Sequence, residues 1–132
     1  MLEAYSRAVD GERALTPYFK VREFACRDGS DPVFVDTELV ALLQAIRVHF
    51  GRAVHINSGF RTWQHNARQK NASRRSQHLY GRAADIRISG VSVDALADYA
   101  ETLLPGTGGI GRYYADGFVH VDVRKTKSRW KA

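Results

Sequence analysis

Three residues of this sequence, His78, Asp85 and His120, have the types and the spacing to hold a metal ion. Asp85 and His120 each lie where apolar and polar residues alternate, which predicts two strands that present these side chains on the face opposite the core. His78 precedes Asp85 by seven positions, and the turn-like sequence LYGRAA could bring its imidazole back over the carboxylate. Catalytic zinc sites typically take three protein ligands and keep a fourth position for water, whereas structural sites use all four. The three residues therefore indicate an open metal site.

Taken singly, each of these residues also has a structural interpretation. His78 could be an ordinary loop histidine, and His120 could be a histidine whose ring is satisfied within its strand. Asp85 could cap a helix or pair with a cation. For any one of them in isolation, the structural interpretation is favoured.

The elements that must position these residues follow from the apolar pattern. Residues 36–50 repeat apolar side chains at helical spacing, with Asp36 as N-cap and Gly51 just after the end. A second amphipathic helix over residues 92–104 begins at Ser92 and stops before Pro105. Strands are predicted over residues 53–57, 83–88 and 118–124, a long loop with up to one helical turn over 62–75, and a tight connection at GTGGIG. This order predicts an α+β domain, with helices packed on one face of its sheet.

Length and charge set the broad class. The 132 residues fit one domain, with residues 1–17 as an N-terminal arm that ends at Pro17. A net charge of +6 and a pI near 9.8 favour an anionic partner. Bacterial cell wall and nucleic acid are both anionic, but nucleic-acid binding has only the charge in its favour, because the aromatic residues form no stacking series. A single cysteine, Cys26, excludes an internal disulfide and a zinc cluster of cysteines alone.

Three motifs, in the same order along the chain, resemble those of a peptidase superfamily. Residues 58–61, SGFR, resemble its SGYR; residues 76–85, SQHLYGRAAD, resemble its SxHxxGxAxD; and residues 118–122, FVHVD, resemble its closing strand. The chain is identified on these motifs as a member of the zinc D-Ala-D-Ala carboxypeptidase and L-Ala-D-Glu endopeptidase superfamily, peptidase family fifteen. The subgroup of murein endopeptidases with GGIGxY, FVHxD and a final RW is the most similar. The resemblance implies the hedgehog/DD-peptidase fold, α+β with a small central antiparallel sheet, over one zinc peptidase domain of residues 1–132.

The resemblance also implies a role for each matched residue. His78, Asp85 and His120 would be the ligands of one zinc ion per chain. Arg61 would bind a substrate carboxylate or stabilise the transition state, since a guanidinium fork matches a carboxylate bidentately. Ser76 would contact the substrate or hold the loop before His78.

The general base is where the sequence departs from the superfamily. Glu, Asp or His commonly stands two or three residues before the last zinc histidine, and here those positions hold Gly117 and Phe118. Two carboxylates lie nearby: Asp116 in a turn, and Asp122, which strand alternation places on the side of His120. We favour Asp122 as the proton-transfer residue, with orientation of a ligand histidine as the alternative.

Other features carry less weight. Cys26 stands where some superfamily members carry a CxxC pair, but Gly29 occupies the partner position, which predicts no second metal site. His65 is interpreted as structural or adjacent to the substrate. The basic tail from Arg124 to Lys131 could meet anionic wall polymer or be a solvated terminus.

The function implied is zinc-dependent hydrolysis of an amide bond in the peptide stem or cross-link of bacterial peptidoglycan. The bond stays open among D-Ala-D-Ala, L-Ala-D-Glu, D-Ala-diaminopimelate and a diaminopimelate cross-link. A non-catalytic cell-wall-binding or phage assembly module that keeps the fold and the zinc is the alternative, because the base is missing at Gly117.

We expect a cytoplasmic site of synthesis. No apolar run approaches the roughly 18 residues of a membrane span, and the first residues lack the basic and apolar regions of a signal peptide. A lytic enzyme of this kind suits a phage or prophage endolysin that acts on the cell wall. A phage tail component or one domain of a larger exported protein are the alternatives.

Overall fold

The structure, a computed structural model, describes residues 1–68 and 76–132, so part of the predicted loop over 62–75 lies outside the described residues. In these parts of the chain the strands are β1 (Leu2–Ser6), β2 (Ala14–Thr16), β3 (Phe19–Lys20), β4 (Pro32–Asp36), β5 (His55–Ser58), β6 (Ala83–Arg87), β7 (Gly109–Tyr113), β8 (Phe118–Asp122) and β9 (Ser128–Lys131). The helices are α1 (Arg7–Asp10), α2 (Thr37–Phe50), α3 (Trp63–Ala67) and α4 (Val93–Leu103), with 3-10 turns at Val21–Phe24 and Gln77–Tyr80.

The central sheet has the strand order β5-β6-β8-β7-β9, and all neighbours are antiparallel except β7 and β9. Two smaller antiparallel pairs, β1 with β4 and β2 with β3, lie outside it. The predicted α+β class with a small, mainly antiparallel sheet is confirmed. Residues 1–17, predicted as an arm, hold β1, α1 and β2, and β1 pairs with β4 along its whole length. The predicted basic tail ends in β9, because the alternating sequence SRWK pairs with β7.

The two long helices form where the apolar pattern predicts them. Asp36 caps α2 by accepting the N–H of Glu38 at 2.9 Å, and Gly51 ends the helix in the left-handed region with φ 63°. Ser92 caps α4 by accepting the N–H of Ala95 at 3.0 Å. No described helix has the length and apolar character needed to cross a membrane. The buried faces of both helices share one core with the central sheet, and each large apolar side chain buried there contributes about 1.5–3 kcal/mol.

Side-chain alternation gives the central sheet two different faces. Ile86 on β6 and Val119 and Val121 on β8 are fully buried in the core beneath the helices. Asp85 and His120 therefore point to the other face, and the register sets them directly opposite each other.

One row of residues crosses all five strands on this polar face. Its members are paired in register in the order Ser58, Asp85, His120, Gly111 and Trp130. Small residues are required in β7, because a Cβ on Gly111 would overlap the indole of Trp130. A Cβ on the neighbouring Gly109 would likewise overlap the carboxylate of Asp122. The predicted tight connection at GTGGIG is therefore wrong for its last three residues, which begin a strand with glycines for close approach.

Gly111→Ala should destabilise the protein by about 1–3 kcal/mol, since the added methyl group overpacks the contact with Trp130. Gly106→Ala is the matched control, because a Cβ at Gly106 meets nothing within 4 Å. Urea unfolding followed by circular dichroism measures both. Equal free energies of unfolding for the two variants would contradict the packing role of Gly111.

Candidate metal centre

The structure gathers His78, Asp85 and His120 into one buried cluster. Their potential ligand atoms all lie within 4.8 Å of one another. Asp85 is central, with Oδ1 3.3 Å from Nε2 of His78 and 3.1 Å from Nδ1 of His120. The three residues that the sequence singled out thus come together, two from paired strands and one from the turn before them.

The 3-10 turn Gln77–Tyr80, capped by Ser76, positions His78 in this cluster. The hydroxyl of Ser76 accepts the N–H of His78 at 3.3 Å, and the turn ends at Gly81 with φ 68°. Gly81 lies against the backbone of Phe34, where a Cβ would overlap the carbonyl group, and its own carbonyl accepts the N–H of Asp36 at 2.8 Å. The β1–β4 pair therefore supports the His78 turn, and the contact of Ser76 favours its predicted loop-holding role over substrate contact.

Hydrogen bonds assign the proton on each imidazole ring. Nδ1 of His78 lies 2.7 Å from the carbonyl of Gly59, which can only accept, so this nitrogen carries the hydrogen. Nε2 of His120 lies 2.7 Å from Oδ2 of Asp122 and donates to it. In the neutral rings, Nε2 of His78 and Nδ1 of His120 thus turn lone pairs toward Asp85. Three electron-pair donors facing one point repel each other unless a cation lies between them, so this donor set fits a divalent metal.

The electrostatics of the cluster also favour a cation. Burial by itself raises the pKa of Asp85, but His78 and His120 hold that pKa well below its ordinary value, so the carboxylate stays charged. Burial lowers the pKa of His78. Burial opposes protonation of His120 too, but its hydrogen bonds to Asp122 and Asp85 outweigh that effect and raise its pKa. Two carboxylates therefore flank His120 and attract positive charge to its ring, and a metal ion that binds Nδ1 would displace the proton that they favour there.

Arg61 holds the second oxygen of Asp85. Its Nη2 donates to Oδ2 of Asp85 at 3.0 Å, its Nε to the hydroxyl of Ser58 at 2.9 Å, and its Nη1 to the side-chain oxygen of Asn66 at 3.4 Å. The backbone N–H of Arg61 also donates to the carbonyl of His78 at 3.0 Å. Arg61 therefore turns Oδ1 of Asp85 toward the two histidines, a contact that sequence reasoning did not predict.

A cleft of about 290 Å³ opens beside this cluster. Its lining residues are mainly aromatic and apolar, with Arg61 as the charged one: Phe34, Phe60, Arg61, Thr62, Trp63, Leu79 and Tyr80. Clefts of this kind, apolar with a few placed polar groups, are typical ligand sites. Arg61 thus contacts the candidate metal ligand Asp85 and also lines the cleft.

Asp122 lies behind His120 and is fully buried. Besides His120, its carboxylate accepts the N–H of Gly109 at 2.8 Å and two guanidinium N–H groups of Arg124 at 2.6 and 2.8 Å. Burial raises the pKa of Asp122, but His120 and Arg124 outweigh that effect and lower it. The carboxylate of Asp122 contacts Nε2 of His120, on the side of the ring away from Asp85. These contacts favour the orienting role of Asp122 over the proton transfer that we predicted from the sequence.

Asp116, the other candidate base, lies in the exposed turn between β7 and β8. Within the described residues its side chain makes no hydrogen bond or ion pair. Gly117 follows it with φ 73° and completes the turn. The structure therefore gives Asp116 no contact with the ligand cluster.

Trp130 is a site residue that the sequence analysis missed. Its ring centroid lies 4.9 Å from that of His120, and its Nε1 donates to the hydroxyl of Tyr113 at 2.9 Å. The guanidinium of Arg124 lies over the same indole, 5.5 Å from its centroid. The alternation in SRWK was the available signal, since it predicts a strand that would bring Trp130 to the sheet.

A buried set of two histidines and one aspartate beside an open cleft is typical of metal-dependent hydrolases. The chain belongs to the peptidase M15 family, whose family model matches residues 17–122. This range holds all three candidate ligands, and the peptidases of this family are zinc enzymes. The superfamily predicted from the three sequence motifs is thereby confirmed.

One curated relative is similar to part of this chain. Over 82 residues it is 34% identical to the "Probable peptidoglycan L,D-endopeptidase MepK" of Haemophilus influenzae. The match covers 59% of this chain and 42% of that protein, so the chain matches less than half of the relative's length. No solved structure matches the chain significantly.

Asp122→Asn should weaken metal binding about 10- to 100-fold, because the amide removes the charge that orients His120 and stabilises its ring. Circular dichroism checks that the variant stays folded, because the amide nitrogen replaces one of two oxygens that accept N–H groups. Competition with a chelator of known affinity measures the change. Asp116→Asn is the control and should bind metal like the unmodified chain; equal affinities for all three proteins would exclude the orienting role of Asp122.

Proposed function

We propose that this chain is a zinc-dependent peptidase that hydrolyses an amide bond in the peptide stem or cross-link of bacterial peptidoglycan. One observation carries the proposal: the lone pairs of His78, Asp85 and His120 converge beside a cleft that contains Arg61. Membership of the peptidase M15 family supports the reaction class. The name of the Haemophilus influenzae relative supports peptidoglycan as the substrate.

Zinc is the metal that this donor set fits best. Two imidazoles and one carboxylate suit a borderline-soft ion, whereas magnesium and calcium prefer oxygen ligands throughout. When bound, zinc supplies Lewis acidity toward a carbonyl oxygen and toward water. His78, Asp85 and His120 would hold it, while Gly59 and Asp122 keep the two rings in the required tautomers.

Arg61 is suited to bind the substrate. Three of its N–H groups orient Ser58, Asn66 and Asp85 within the protein. The guanidinium group has further N–H donors, and peptidoglycan peptides carry free carboxylates that match its fork. The aromatic walls of the cleft would exclude water from this ion pair and strengthen it. The net charge of +6 attracts the chain to the anionic wall.

Gly117 and Phe118 stand where the superfamily commonly carries Glu, Asp or His. The absence of such a residue favours a second candidate function, a non-catalytic wall-binding or phage assembly module. The two functions differ in whether any group moves a proton at the site. If Asp122 orients His120, Asp122→Asn at saturating zinc should regain most of its kcat. A loss of about 100-fold or more that zinc does not restore would instead make Asp122 the proton-transfer residue.

Digestion of purified sacculi tests the proposal. The zinc-loaded chain should release soluble muropeptides, and mass spectrometry of the fragments identifies the bond. Because the relative is named an L,D-endopeptidase, peptide bonds between an L- and a D-residue are the first to examine. His78→Ala should abolish release, while His55→Ala, at an exposed position on β5, should leave it unchanged. Binding to sacculi without fragment release would favour the non-catalytic module.

Arg61→Lys should retain the fold and the zinc but lose transition-state stabilisation worth about 2–4 kcal/mol in kcat/KM, because an ammonium group cannot replace the planar fork. Arg87→Lys is the matched control, with the same substitution at an exposed position on β6. Rates of muropeptide release measure both. Unchanged turnover in Arg61→Lys would remove Arg61 from the substrate-binding site.

A further inference from the structure

The described residues contain another convergence of metal-ligating side chains, made of Cys26, Asp28 and His65. The thiol sulfur, a carboxylate oxygen and a ring nitrogen all lie within 4.8 Å of one another. Cys26 is buried, His65 is half-buried and Asp28 is exposed. Gly29 stands where a second cysteine would complete a CxxC pair, and its presence predicted no second metal site. The fold instead brings a carboxylate and an imidazole to Cys26.

Thr62 organises this cluster. Its N–H lies 3.4 Å from the sulfur of Cys26, and its hydroxyl donates to Oδ2 of Asp28 at 2.7 Å. The same hydroxyl accepts the backbone N–H of His65 at 3.2 Å, because Thr62 is the N-cap of α3. Thr62 therefore contacts the side chains of Cys26 and Asp28 and the backbone of His65, and so keeps the three segments together.

We propose that Cys26, Asp28 and His65 bind a second metal ion of the zinc class. Thiolate and imidazole select borderline-soft ions such as Zn²⁺ over Mg²⁺ and Ca²⁺. Binding converts the Cys26 thiol to a thiolate, and the proton leaves to solvent. The exposed side of the cluster, at Asp28, leaves room for water as the fourth ligand. The proposal is independent of the peptidase activity, since it uses none of the same ligands.

The location suggests what this ion would do. Cys26 and Thr62 are 36 positions apart in the chain, and Thr62 directly follows Arg61. The neighbouring backbone is already in contact, because the N–H of Phe60 donates to the carbonyl of Phe24 at 2.9 Å. An ion at this site would cross-link the segment after the first 3-10 turn to α3, and so would fix the backbone on both sides of Arg61.

Cobalt substitution of the full chain distinguishes the two candidate sites. Thiolate ligation gives Co²⁺ an intense sulfur-to-metal charge-transfer band in the near ultraviolet, which the histidine and aspartate ligands of the first site cannot produce. We expect this band in the unmodified chain and in His120→Ala, and its loss in Cys26→Ser. Absence of the band in the unmodified chain would overturn the proposal, whatever the outcome of the sacculus digestion.

Zinc stoichiometry gives a second readout. After dialysis against metal-free buffer, we expect two zinc ions in the unmodified chain and one fewer in Cys26→Ser and His65→Ala. Asp28→Asn, at an exposed position where folding is not at risk, should weaken Co²⁺ binding at this site by more than about tenfold. His55→Ala should keep both ions. Unchanged zinc content in Cys26→Ser and His65→Ala, unchanged Co²⁺ affinity in Asp28→Asn, or an equal loss in His55→Ala would each contradict the site.

Discussion

Asp85 and His120 can share one metal ion only because β6 and β8 pair in a single register. Side chains alternate between the faces of a sheet, so a slip of one residue would carry either ligand into the core and an apolar residue onto the polar face. The register is held by burial of Ile86, Val119 and Val121 beneath the helices. The apolar packing on one face of the sheet therefore determines the polar geometry on the other.

The polar face buries the carboxylates of Asp85 and Asp122, and each of them is paired with an arginine. Asp85 is paired with Arg61, and Asp122 with Arg124, and each carboxylate also contacts His120. A buried carboxylate without such partners would take up a proton. The pairing keeps both carboxylates ionised. Asp85 faces the candidate metal centre, and Asp122 lies behind the ring of His120. Gly109 provides the space in which Asp122 can make these contacts.

The two candidate metal sites are connected through a short stretch of backbone. Arg61 contacts the first site through Asp85, and the next residue, Thr62, contacts the second through Cys26 and Asp28. An ion at the second site would therefore anchor the backbone next to Arg61, the charged residue that lines the cleft.

The sequence by itself determined the α+β class, the two long helices, the family and the grouping of His78, Asp85 and His120, because periodicity and motif spacing are local properties. Tertiary structure decided what depends on contacts between distant segments. It sets Asp122 behind His120 with Arg124, turns the presumed basic tail into β9 with Trp130 against the site, and joins Cys26 to a carboxylate and an imidazole. No spacing rule reveals such partners, because they meet only when the core has brought their segments together.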